Sequence, residues 1–184
     1  FLKAQIQPHF FFNTLNNLYA LTLERSKQAP EVVLKLSEIM EYILYDAKEP
    51  RIRLLNEINY IQNYIDLEKL RYGDKVSVQI NMQGNIETQS VPPLLFLPFI
   101  ENCFKHGAVE NNKLNVLIEF EVTHNNVLRF YVINNYNSFP QNKTNHGIGN
   151  QNVLRRLELL YKDKFSLDIK TENESYIVEL LIPL

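Results

Sequence analysis

The sequence predicts an α+β fold, a two-helix hairpin followed by a sandwich in which a mixed, mostly antiparallel sheet carries helices on one face. Three observations predict it. Apolar residues recur at helical spacing up to residue 72, period-two runs appear after it, and helical and strand patterns then alternate to residue 184. Hydrophobic residues at 45% and charged residues at 22% are enough for a buried core. A formal net charge of −2 provides no overall basic field of the kind that gathers nucleic acid or anionic lipid. With Cys103 the single cysteine, neither an intrachain disulfide nor a cysteine-based zinc site can form within the chain. The longest apolar run, 91–100, is about half the length that spans a bilayer, and it contains Pro92, Pro93 and Pro98. The chain opens on Phe1 in sequence that already reads as helical, as expected of a piece cut from a longer protein.

Taken in order, residues 2–25 read as a helix with Phe11, Leu15 and Leu18 as its apolar stripe, and residues 31–47 as a second with Val33, Leu36, Met40 and Ile43. The short connection at Ser26 to Pro30 makes them an antiparallel hairpin, which needs a second copy to cover its seam, as in a dimeric four-helix bundle. Glu49-Pro50 breaks the pattern, dividing the chain into residues 1–50 and 51–184. A third helix starts near Leu54, buries Leu54, Ile58, Ile61 and Ile65, and stops at Tyr72-Gly73-Asp74. A strand follows at residues 76–80, then a helix over Pro92 to His106, kinked at Pro98 and stopped by Gly107. Residues 115–121 and 127–134 alternate as a hairpin about Thr123 to Asn126, and the polar run 139–146 reads as a loop. Val153, Leu154, Leu157, Leu160 and Tyr161 mark a last helix, and residues 165–170 and 175–182 a closing hairpin.

Three constellations carry chemistry. His9, Asn13 and Asn16 fall on one stripe of the first helix, beside the backbone distortion that Pro8 imposes. A neutral imidazole is a competent nucleophile, and Asn13, one turn on, is placed to orient it. The same spacing also fits an ordinary surface or capping histidine. Asn102, Lys105 and His106 share a face, where an amide oxygen suits Mg²⁺ and an ammonium suits phosphate; a solvated helix end has the same composition. Gly147, Ile148 and Gly149 precede a helix, and glycines there let backbone N–H groups approach phosphate.

Taken together these motifs describe a nucleotide site, and the whole chain resembles the LytS-like sensor histidine kinases. Residues 5–16, from Gln5-Ile6-Gln7-Pro8-His9 to Leu15-Asn16, are similar to that family's phosphoacceptor signature, with Phe11 where leucine is usual. Residues 98–107 resemble the N box and residues 147–157 the G box of the gyrase, Hsp90, histidine-kinase and MutL (GHKL) ATPases, with Asn150 replacing a leucine. The resemblance implies a GHKL-type sandwich that binds ATP through Asn102, Lys105, His106, Asn134, Gly147, Ile148 and Gly149. It also implies Asn102 as the Mg²⁺ ligand and His9 as the phosphoacceptor. Asn134 stands where the superfamily has an adenine-binding aspartate, and its amide oxygen can accept the same hydrogen bond without the charge. Further implications are a homodimer, a response-regulator receiver domain as partner, often of LytTR type, and no direct nucleic-acid binding. The chain would be the cytoplasmic part of a bacterial inner-membrane sensor. Two features leave a second reading open, that of a catalytically silent dimeric signalling module: the altered adenine loop at residues 134–138, and Phe10 after His9 where many histidine kinases have an acidic base.

Overall fold

The computed structural model describes residues 8–106, 113–135 and 148–184. Helices α1 (Pro8–Leu23) and α2 (Ala29–Leu44) form the expected hairpin, turned by Arg25 at φ 52° and by Ser26 N–H donating to the Leu21 carbonyl at 2.9 Å. Helix α3 (Leu54–Tyr72) buries Leu54, Ile58, Ile61 and Ile65 as its spacing predicts and ends at Gly73, whose φ of 58° suits a residue without a side chain. It packs on α2 through stacked Tyr42 and Tyr60 rings 4.1 Å apart, Lys35–Asp66 at 2.8 Å and Asn63–Glu38 at 2.7 Å. Within one chain the hairpin buries a stripe adjacent to the expected seam. Phe10, Thr14, Val32, Ile39 and Tyr42 are buried, whereas Leu15, Val33 and Met40 are exposed and Phe11, Leu18, Leu36 and Ile43 are half-buried. Both helices turn an adjacent stripe toward α3 and leave much of the predicted seam facing outward.

A five-stranded sheet follows in the order β2-β4-β5-β7-β6, from β2 (Val76–Gln83), β4 (Leu114–Val122), β5 (Val127–Asn135), β6 (Ser166–Glu172) and β7 (Ser175–Pro183). Only β2 and β4 pair in parallel, and the crossover that a parallel pair requires contains helix α4 (Leu97–His106). The other pairs are antiparallel, so the sheet is mixed and mostly antiparallel, as predicted. Asn173 and Glu174, at φ 51° and 57°, make the tight turn between β6 and β7, since two-residue hairpins need positive φ at both positions. Alternation then sorts the faces. Ile118, Phe120, Leu128, Phe130, Val132, Val178 and Leu180 point to one side, where Phe96 and Phe99 from the α4 region pack with tilted rings against Phe130 at 4.8 and 5.8 Å. Helix α5 (Ile148–Tyr161) joins that core through Val153, Leu157 and Tyr161, leaving Leu154 and Leu160 exposed. Arg129 and its partners Glu119, Glu121 and Glu179 occupy alternate, less buried positions of the strands. Among the described residues no helix is long and apolar enough to cross a membrane.

The segment before α4 departs most from expectation. Residues 92–96 are not helical, and Pro98 lies in the first turn of α4, where a missing N–H leaves no hydrogen bond unmade and no kink results. The physical reason is Glu57. Its carboxylate, fully buried in the first turn of α3, accepts N–H bonds from Leu94 at 2.9 Å and Leu95 at 3.0 Å and a hydroxyl bond from Tyr42. Arg156 of α5 donates to the carbonyls of Leu94 at 2.9 Å and Pro93 at 2.5 Å. Leu94 is thereby held by both its N–H and its carbonyl at φ 55°, a conformation costly for a branched side chain. A two-residue bridge between β1 (Ile52–Arg53) and β3 (Ser90–Val91) brings this segment against α3 from the other side.

Replacing Glu57 by Leu strands the buried Leu95 N–H and the Tyr42 hydroxyl and leaves the Leu94 N–H only the Tyr42 oxygen at 3.1 Å, and urea unfolding should show a loss of about 3 kcal/mol or more, against about 1 kcal/mol for Tyr42→Phe. Unchanged unfolding midpoints would remove this network from the account of stability.

Candidate functional site

His9 is exposed in the first turn of α1, and the next residue, Phe10, is buried. The Asn13 amide nitrogen lies 3.1 Å from His9 Nδ1 and 3.3 Å from Nε2, nearly equidistant from the two ring nitrogens. The (i, i+4) spacing seen in the sequence therefore produces the contact expected of it. Asn16 is exposed. Phe10 stacks on Tyr64 of α3 at 4.8 Å, Tyr64 meets Phe104 of α4 edge-on at 6.1 Å, and Phe104 stacks on Tyr72 at 6.0 Å. One line of aromatic rings thus joins the turn bearing His9, through α3, to the helix bearing Asn102 and Lys105.

On α4, the buried side is made by Phe99, Ile100, Cys103 and Phe104, which leaves Asn102 half-buried and Lys105 exposed. Burial pushes the Cys103 thiol up to about 12, and its Sγ donates to the Phe99 carbonyl at 3.3 Å, so this cysteine serves packing. His106 ends α4, and its side chain lies outside the described residues. Gly147 and the expected loop at 139–146 also lie outside them; Ile148 and Gly149 open α5, with only their backbone described. Helix α4 touches both α5 and β5, so these three elements border one side of the sheet.

At the end of β5, Asn134 is buried and its amide is oriented by its own neighbour: Nδ2 donates to the Asn135 carbonyl at 2.8 Å. A carbonyl accepts only from the NH₂ end, so the oxygen is the other end of the group. That oxygen is buried and has no hydrogen-bond partner among the described residues. Asn135 steadies the strand end by donating to the Lys113 carbonyl at 3.0 Å and accepting from the Asn115 N–H at 2.8 Å. An unpaired buried acceptor is costly unless something donates to it. The exocyclic amine of adenine has the required chemistry, so the residue fits the group that the resemblance assigns to it.

The sequence reading missed three charged residues: Glu57 and Arg156, described above, and Glu68, which is buried on α3. A signal for the acids was present. Positions 54, 57, 58, 61, 64, 65 and 68 form one helical stripe, and both glutamates interrupt it where every other member is apolar or aromatic. Arg156 left no such trace, because arginine is common on any exposed helix face.

Known proteins resemble this chain in sequence and in fold. The histidine kinase family matches residues 1–76. Sensor protein LytS of Staphylococcus saprophyticus is 30% identical over 99% of this chain and 33% of its own length, and that of Oceanobacillus iheyensis 27% identical over 99% and 34%. The chain thus spans about a third of the length of these relatives. Among solved structures, the histidine kinase domain of the blue-light activated kinase EL346 from Erythrobacter litoralis matches with a TM-score of 0.56 at 16% identity, over 97% of this chain and 96% of that one. The catalytic domain of histidine kinase ThkA matches 72% of this chain and 93% of its own with a TM-score of 0.54 at 10% identity, a likeness of fold.

Removing the amide by Asn13→Ala should move the imidazole nitrogen NMR signals of His9 toward those of a histidine free to sample both tautomers. Signals that do not move would show that the contact leaves the ring unaffected.

Proposed function

We propose that the chain is the core of a two-component sensor histidine kinase, which uses MgATP to phosphorylate His9 and passes the phosphoryl group to an aspartate of a response-regulator receiver domain, of LytTR type. In this reading residues 1–50 are the phosphoacceptor hairpin and residues 51–184 the nucleotide-binding unit. The observation that supports it most is the buried, unpartnered Oδ1 of Asn134, an acceptor aimed by its own Nδ2 bond and suited to the adenine amine. Asn102, Lys105, His106, Gly147, Ile148 and Gly149 take the phosphate end. Lys105 supplies a point charge and the first turn of α5 supplies backbone N–H groups. Mg²⁺, held through the Asn102 amide oxygen, would offset phosphate charge. Asn13 orients the imidazole, and the chain's contribution is mainly positioning.

The exposed apolar residues of the hairpin support a homodimer. Phe12, Leu15, Tyr19 and Leu23 form one stripe on α1, and Val33, Met40 and Leu44 add to it on α2. Such a face is covered by a second copy in a four-helix bundle. The parent protein would be a bacterial inner-membrane sensor, with this chain in the cytoplasm.

Incubation with γ-labelled ATP and Mg²⁺ should give acid-labile label that is lost in His9→Gln and Asn102→Ala. Asn134→Leu should weaken ATP binding by about tenfold or more, the equivalent of one lost buried hydrogen bond. Absence of ATP binding in the unaltered chain would favour the silent signalling module instead, and label retained by His9→Gln would move the acceptor elsewhere. In a separate measurement, Leu15→Glu combined with Met40→Glu should convert the dimer to monomer by light scattering; an unaltered chain that is already monomeric would refute the bundle.

A further inference from the structure

Phosphorylating an imidazole requires a place for the ring's proton, and helix α1, from Pro8 to Leu23, contains no Asp or Glu. A carboxylate approaches from α3 instead. Glu68 lies one turn beyond Tyr64, the ring on which Phe10 stacks, so it shares the α3 face that meets the first turn of α1. It is only 6% exposed, and its Oε2 has no hydrogen-bond partner among the described residues; Arg71 Nη1 stands 3.7 Å away. A buried carboxylate oxygen left without a donor is uncommon and needs an explanation. Burial pushes the Glu68 carboxyl above its usual range, and the positive charges of Arg71 and then of His9 pull it back, so the imidazole and the carboxyl are within electrostatic reach of each other. The other titratable groups about this pair are Tyr64 and Tyr72 on α3, and Glu101 on α4, whose charge reaches Tyr64.

We propose that Glu68 is the carboxylate partner of His9, accepting the imidazole N–H while the opposite ring nitrogen attacks the γ-phosphorus. The proposal rests on the reading of His9 as phosphoacceptor and supplies the proton acceptor that its own helix lacks. The lone pair of the unprotonated nitrogen forms the N–P bond. The bond from the γ-phosphorus to the bridging oxygen breaks, and its electron pair leaves with ADP. The ring becomes cationic, its proton remains on the nitrogen that faces Glu68, and it passes to the carboxylate as the phosphoimidazole returns to neutrality. A carboxyl raised by burial above the usual carboxylate range is better matched to that transfer than an ordinary one. Arg71, 41% exposed at its side chain, keeps Glu68 ionised beforehand.

The test uses the whole chain in four forms: unaltered, Glu68→Gln, Glu68→Asp and His9→Gln. Nitrogen NMR signals of His9 are recorded without ATP, and initial labelling rates from γ-labelled ATP are recorded across pH, with nucleotide affinity and melting temperature as controls. Glu68→Gln should shift the His9 signals, leave ATP affinity unchanged, and lower the labelling rate by about 100-fold or more with an altered pH profile. Glu68→Asp, which keeps the charge, should recover part of that rate. His9 signals that stay in place in Glu68→Gln, or a labelling rate and pH profile equal to those of the unaltered chain, would overturn the role of Glu68. A variant that loses rate only in proportion to lost melting temperature, with unchanged His9 signals, would reduce Glu68 to a structural residue and equally overturn it. Label retained in His9→Gln would instead refute the phosphoacceptor reading, an outcome separate from these.

Discussion

A carboxylate cannot be buried cheaply, and the way this chain satisfies Glu57 organises what surrounds it. Removing an ion from water costs several kcal/mol, on the order of what a domain has to spare, so the group persists only with donors on its oxygens. Here those donors come from α2 through Tyr42 and from the segment before α4 through the Leu94 and Leu95 N–H groups, with the acid itself on α3. Burial holds the Glu57 carboxyl above its usual range, while hydrogen bonds from Tyr42 and from the Leu94, Leu95 and Phe96 N–H groups pull it back, with the Arg156 charge nearby. One side chain therefore ties the hairpin to the helix that carries Asn102.

Helix α3 is the intermediary at both of its ends. Its first turn makes the polar tie at Glu57, which is directional and sets the start of α4. Its later turns make the aromatic tie, Phe10 to Tyr64 to Phe104, which is apolar and less demanding of geometry. The start of α4 determines which of its residues face away from the core. With Leu97 as first residue, Phe99, Ile100, Cys103 and Phe104 turn inward and Asn102 and Lys105 turn out. The face assigned to phosphate and metal thus depends on a carboxylate about forty-five positions earlier in the chain, held by hydrogen bonds that no helical pattern announces.

Asn134 illustrates how a change of residue type is absorbed. An aspartate at that buried position would need a donor for each oxygen, whereas the asparagine uses its NH₂ on the adjacent carbonyl and presents one neutral oxygen. The acceptor function of the position is retained while the cost of a buried charge is avoided. Asn135, bonding to both neighbours across the strand end, keeps that amide in place.

The order and type of the elements were legible in the sequence, because hydrophobic period and turn residues are local properties: the hairpin of α1 and α2, the stop at Gly73, the β4–β5 and β6–β7 pairs. So was the contact of His9 with Asn13, which helical geometry alone dictates. Tertiary structure decided the rest. Val33 and Met40 share a face by their spacing and lie exposed in the single chain, because periodicity tells which residues share a face and not what that face meets. The run from Pro92 has the pattern of a helix start, but the buried Glu57 takes the Leu94 and Leu95 N–H groups and the helix begins at Leu97. Glu68 read as one more charged residue on a helix, and only the stacking of Phe10 on Tyr64 placed it beside His9. Local chemistry is written in neighbouring residues, but the meeting of two side chains from different helices depends on packing, to which every element contributes.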